Sequence, residues 1–384
     1  MGKIELDHTG SGGGVTLSSD GTDLLLDGTA IGGGGGAALE LYAENPSSPT
    51  APSATGTNAV AIGNGAIASN QDAISLGRDA SASQIYAISA GRNSTSTGIY
   101  SLALNGDANT TAATAIGQHS QGLSGKAKSI AGGAIALNGS YASGTDSFAA
   151  SIRNNTSSYG ATGNNSVAIG YLTKATATYA YAGGRTSTAS GYGSIALGIG
   201  PTASGHSSIA LGGRGVWYAQ ATAQSSIAIG DGARGDIKGK MAFAGYGMGN
   251  AGSQGGWYTL YSDTTDATAE AMTTTKSTAS SDNQIVLSNN SAYAFHGTIV
   301  ARQQASAGTA SAAWKIEGLI RREGSAGTTV LVNSATTVLD NTPGWGLALS
   351  ADTTNGGLKV EATGAASTNI RWVATIHTSE VTYA

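Results

Sequence analysis

The five histidines of this 384-residue chain, His8, His119, His206, His296 and His377, are its most evident candidates for chemistry, and they are scattered. No two fall at the H-E-x-x-H spacing that places two imidazoles on one zinc ion, so no metal ligand is assigned. There is no cysteine, which removes disulfides, thiolate metal sites and thiol nucleophiles together. Serine is abundant, but no G-x-S-x-G elbow joins a strand to a helix, and the Ser/His/Asp combinations have no distinctive spacing. Segment 122–129, GLSGKAKS, has a Gly-Lys step without the frame of a phosphate loop, and 245–252, GYGMGNAG, has glycine spacing with no βαβ unit around it. No catalytic or cofactor-binding residue is assigned, and no cofactor is expected.

Aromatic and basic pairs are the remaining candidates for binding. Trp217 and Tyr218 lie in an interval of the sequence repeat that is longer than its neighbours, and an insertion between coils must loop outward. Exposed rings there would stack on sugars, and the competing role is packing on the rod surface. For Trp257 and Tyr258 the favoured expectation is that Trp257 plugs the end of the rod between chains. Arg321 and Arg322 end a strand and could meet an acidic glycan or simply be solvated. Trp314, Trp345 and Trp372 fall on alternating strand positions and read as core.

The elements that would position these residues are set by an internal repeat. It is clearest in NAVAIG (58–63), DAISLG (72–77), NSVAIG (165–170), GSIALG (193–198), SSIALG (207–212) and SSIAIG (225–230). The closing glycines are Gly63, Gly77, Gly170, Gly198, Gly212 and Gly230, and the commonest interval is 14 residues. Each unit reads as a short strand with apolar residues on both faces, a glycine corner at positive φ, and a second Ala/Ser strand. A strand apolar on both sides is expected to be buried on both, once against its own coil and once against another chain. Roughly thirteen coils at ~4.8 Å would make a rod on the order of 60 Å long.

This 14-residue SxAIG pattern resembles the head of trimeric autotransporter adhesins, which implies a trimeric left-handed parallel β-roll. NSVAIG and SSIAIG match it closely. The start, MGKIELDHTG, shows no signal peptide, and neither a heptad stalk nor a membrane anchor is read, so a surface adhesin is not the expected form. The whole looks like a structural fibre of tailed phages, including marine and cyanobacterial ones. That resemblance implies a virion fibre assembled in the host cytoplasm. Its partners would be two copies of itself, another virion protein at the N-terminus, and a host glycan or protein at the C-terminus.

Five regions are expected. They are an N-terminal attachment segment with short hairpins (1–44), a Pro/Ser-rich linker (45–57), the β-roll shaft (58–250), a connector (251–283) and a C-terminal antiparallel β-sandwich or jelly-roll (284–384). The sandwich rests on about seven strand signals spaced every 10 to 15 residues. The fold class is therefore all-β. Charge supports no nucleic-acid partner, because the 19 Lys and Arg residues are not clustered on a face, and no apolar run reaches the roughly 18 residues of a membrane helix. Three functions remain open: an attachment fibre without chemistry, a head or collar decoration without a receptor, and a glycan-degrading tailspike. The last needs two carboxylates about 5 to 10 Å apart, whereas Asp72, Asp79, Asp107, Asp146, Asp231 and Asp236 are spread over many coils. Glu317, Asp340, Asp352 and Glu361 leave a cleft open in the last region.

Overall fold

The computed structural model describes residues 50–110, 132–137, 140–150, 158–214, 217–246 and 253–383, together with strands Ile4–Leu6, Val15–Ser19, Leu24–Leu26, Thr29–Ala30, Thr114–Ile116 and Ala127–Ser129. The segments GLSGKAKS, apart from its strand residues, and GYGMGNAG beyond Tyr246, with His8 and His119, lie outside the described residues. The four N-terminal strands form an antiparallel sheet in sequence order.

From Ser53 to Ala244 the chain winds as a two-sheet parallel coil. Strands such as Val60–Ile62, Ile74–Leu76 and Ile88–Ala90 stack in one sheet, each residue paired with the one 14 positions on. Strands such as Ile67–Ala68, Ser81–Ala82 and Thr95–Ser96 stack in the other, which is 13-stranded. Insertions change the interval and keep the register, as where Ile209 pairs with Ile227 across an 18-residue step. The interior is almost entirely alanine and serine. Within one coil Ala73, Ser75, Ala80 and Ala82 are all fully buried, and the same four positions recur coil after coil. Only side chains of this size let two sheets close on each other so tightly, and several of the serine hydroxyls are returned to the coil's own carbonyls, as when Ser187 donates to Gly183 O at 2.8 Å, while those of Ser75, Ser89, Ser147 and Ser208 have no hydrogen-bond partner among the described residues.

The corner glycines are held by backbone. Gly63, Gly77, Gly170, Gly198, Gly212 and Gly230 have φ between +96° and +129°. A Cβ on Gly170 would lie 2.0 Å from the carbonyl oxygen of Gly184 in the next coil. Each glycine therefore sits under another backbone strand and in a conformation other residues avoid.

After Ala244 the fold becomes antiparallel. Strand Met241–Ala244 pairs with Gln254–Thr264, and the ladder continues through Ile370–Thr382, Ser291–Gln303, Ser311–Arg322 and Val330–Asp340. A second sheet is built on the hairpin Gly346–Asp352 and Gly357–Thr363, with Ala269–Ala271 and Ile285–Val286 on its other edge. Between the sheets lies a conventional core that includes Trp314, Trp345, Trp372, Leu260, Ile299, Ile316 and Val360. Residues 254–264, expected within a connector, instead form a full-length strand of this unit, buried on alternate side chains.

Candidate functional site

The two faces of the rod differ in chemistry. In the first sheet the second residue of each strand points inward and the residues on either side of it point out, so Val60, Ile62, Ile74, Leu76, Ile195 and Leu197 form one outward surface. Val60 keeps 42% of its surface exposed, Leu76 38%, Ile169 38% and Leu197 36%. In the second sheet the outward column is Ser81, Thr95, Asp107, Lys174, Thr188, Thr202, Gln220 and Arg234, with Ile67 and Tyr141 as apolar exceptions. Within a single chain, the apolar face is left uncovered along the rod.

The 18-residue step makes a small hairpin in which Gly213 pairs with Tyr218 and Arg214 with Trp217. Tyr218 lies flat over the rod, since a Cβ on Gly200 would meet its ring at 2.3 Å. Trp217 is half-exposed beside Arg214, whose guanidinium sits 5.9 Å from the Tyr246 ring centre and 3.8 Å from Asp231. Arg321 and Arg322 point to different environments. Arg321 is exposed beside Glu323 at 3.5 Å. Arg322 turns inward, donates to Leu287 O at 2.7 Å and packs on Gly356, tying the two C-terminal sheets together. The aromatic pair and the arginine pair thus sit on separate elements, and Arg322 is occupied structurally.

Trp257 lies at the rod's end, paired with Met241 of the last coil. It is 55% exposed on the outer face of the antiparallel sheet and stacks on His377 with ring centres 4.7 Å apart, and His377 in turn meets His296 edge-on at 5.3 Å. The rod's interior is closed by Lys240, which stands where the preceding coils carry Ser208 and Ser226. Its ammonium reaches Glu380 Oε2 at 2.9 Å and Asp236 Oδ1 at 3.3 Å. Glu380 also accepts from Gln254 Nε2 at 2.7 Å, Tyr258 OH at 3.0 Å and Thr378 Oγ1 at 2.8 Å. Burial works against the Lys240 ammonium, but Tyr258, Asp236 and Glu380 outweigh it and raise its pKa. Burial and the nearby Glu380 push the Tyr293 phenol up to about 12. A Ser-to-Lys change in one repeat was the sequence signal for this lock, readable only with the register in hand.

A further aromatic feature runs along the rod's edge, where Tyr192 stacks on His206 at 4.9 Å and meets Tyr179 edge-on at 5.4 Å. In the C-terminal unit, a cleft of about 670 Å³ opens among Tyr261, Asp263, Glu270, Lys276, Lys359 and Glu361. It lies along strand Gln254–Thr264, past the residues paired with the last coil, where the backbone of Thr273 bridges Tyr261. Among the described residues no group of three His, Asp or Glu converges as a metal site, and no helix is long and apolar enough to cross a membrane.

Five spans match the family model of the YadA head domain repeat, at residues 54–80, 161–185, 175–200, 189–214 and 217–233. All lie in the coiled rod, so the rod carries adhesin-head repeats. No curated protein matches the chain. Among solved structures, the tailspike protein gp49 from Acinetobacter baumannii bacteriophage Fri1, a capsular polysaccharide depolymerase, aligns with 8% identity and a TM-score of 0.19, over 73% of this chain and 47% of that one. The tailspike of Acinetobacter baumannii phage AM24 aligns with 10% identity and a TM-score of 0.17, over 86% of this chain and 68% of that one. The chain spans about half the length of the first tailspike, and likenesses this slight transfer neither fold nor activity.

Proposed function

We propose that the chain is the subunit of a homotrimeric virion fibre that attaches to a host surface by multivalent, non-covalent binding and carries out no chemistry. The observation that carries this reading is the continuous apolar outward face of the rod's first sheet, set opposite a polar second sheet. An apolar strip of that extent marks an interface. Because it repeats once per coil, a partner must repeat at the same interval to follow it, and another copy of this chain does so by construction. The adhesin-head repeats matched along the rod support the same assembly. Covering Ile, Leu and Val side chains that are still about 40% exposed contributes roughly 1 kcal/mol each, and the sum over many coils outweighs the entropy of association.

In this reading the N-terminal segment joins another virion protein and the antiparallel unit faces the host. Three weak sites on one rigid rod then combine into avidity. The purified full chain should have a native mass of three times 37.7 kDa and, incubated with host polysaccharide, should release no new reducing ends. A monomer overturns the trimer; released ends overturn the absence of chemistry.

A further inference from the structure

The cleft beside strand Gln254–Thr264 is not needed for the fibre architecture, and its lining sets five charged side chains and Tyr261 among small Ala, Ser and Thr residues. At about 670 Å³ it falls within the roughly 300 to 1,000 Å³ of small-molecule sites. Its charged groups are held in place by one another. Asp263 accepts two hydrogen bonds from Arg371, at 3.0 and 3.3 Å, and a third from Lys276. Lys359 pairs with Glu361 at 2.6 Å. Glu270 is fixed through Ser262 Oγ at 3.1 Å. Among the described residues it has no ion-pair partner. Tyr261, 39% exposed, supplies the aromatic surface.

We infer that this cleft is a saccharide-binding subsite for uncharged hexose units, an assignment that presupposes the attachment reading above. Sugar hydroxyls donate and accept at once, and the lining offers fixed carboxylate acceptors and ammonium donors side by side. The apolar face of a pyranose ring is matched by an aromatic ring such as Tyr261. Acidic sugars are disfavoured, because both lysines are already engaged, Lys276 by Asp263 and Lys359 by Glu361, while Glu270 keeps its charge without an ion-pair partner among the described residues. A hard cation is also a poor fit. Asp263 and Glu361 are already neutralised by protein cations, which leaves the single charge of Glu270.

The test uses the full chain and a glycan array with neutral hexose, hexosamine and uronic-acid oligosaccharides, comparing wild type with Tyr261→Ala, Glu270→Gln and Lys359→Ala. Neutral hexose oligosaccharides should be retained by wild type and weakened at least tenfold by each variant, with the thermal midpoint and native mass unchanged. Glu270→Gln preserves shape and serves if either of the others folds poorly. Binding that survives all three, or that is confined to uronic acids, overturns the cleft assignment and leaves the attachment reading standing. Binding lost instead in Trp217→Ala moves the site to the rod hairpin. A wild-type chain that retains no glycan overturns the cleft and glycan attachment together.

Discussion

Lys240 and the corner glycines are the residues on which the most structure depends, for opposite reasons. Lys240 is fully buried, and its partner carboxylate Glu380 is equally inaccessible. A buried ion pair adds little net stability over apolar packing, but removing one partner strands the other. Lys240→Met should therefore lower stability by about 3 to 5 kcal/mol, read as a fall in the unfolding midpoint of the C-terminal unit. Adding Glu380→Gln should recover much of that loss, since Gln254, Tyr258 and Thr378 then face a neutral amide. A single variant as stable as wild type would mean that the lock is not a coupled pair. At the other extreme, Gly170 has no side chain to contribute and matters because nothing else fits.

At the scale of the element, the coil is a strand, a corner and a strand, and its tolerance is set by the corner. Gly170 combines φ of +115° with a Cβ position 2.0 Å from the Gly184 carbonyl oxygen. Gly170→Ala should thus cost more than the roughly 1 to 3 kcal/mol of left-handed strain alone. Rods carrying it should be cut by protease at that coil while the wild type resists, and equal resistance would refute the stacking. These corners were legible in the sequence because glycine has a distinct physical meaning at positive φ. A parallel set was not. Asn58, Asp72, Tyr86 and Tyr100 also adopt positive φ, at 53° to 58°, and the two tyrosines stack at 4.9 Å. Asn and Asp tolerate that conformation but tyrosine does not announce it, so only the register reveals the tyrosines. In the C-terminal unit the strand Gly357–Thr363 and the first part of Ile370–Thr382, over residues 370–377, were visible as apolar runs. Gln254–Thr264 was obscured, because Gly255-Gly256 at its start and Asp263 near its end are residue types depleted in strands, although the run from Trp257 to Tyr261 between them is rich in β-formers. The cleft was illegible for a related reason. Asp263 and Arg371 are 108 positions apart, and no local pattern brings them together.

At the scale of the molecule, the two faces of the rod make separable statements about assembly. Ile169 and Leu197 lie in one outward column of the first sheet, both aligned with Gly183 between them. Thr188 and Thr202 are paired neighbours in the outward column of the second. If three copies meet through the first sheet, Ile169→Asp with Leu197→Asp brings six carboxylates into an apolar interface. Each uncompensated charge there costs several kcal/mol. The native mass of that variant should drop towards 37.7 kDa, whereas Thr188→Asp with Thr202→Asp should leave the trimer intact. The edge strand Val330–Asp340 provides an internal control. It exposes Val332, Val338 and Leu339 without a charged residue before Asp340, and an unprotected apolar edge of that length needs a covering partner. With the rod face disabled, this edge is an apolar surface through which copies can still meet. Residual association of the double-aspartate variant should then disappear when Val338→Lys is added. Loss of the trimer from the threonine pair alone would place the interface on the polar sheet and overturn the assembly.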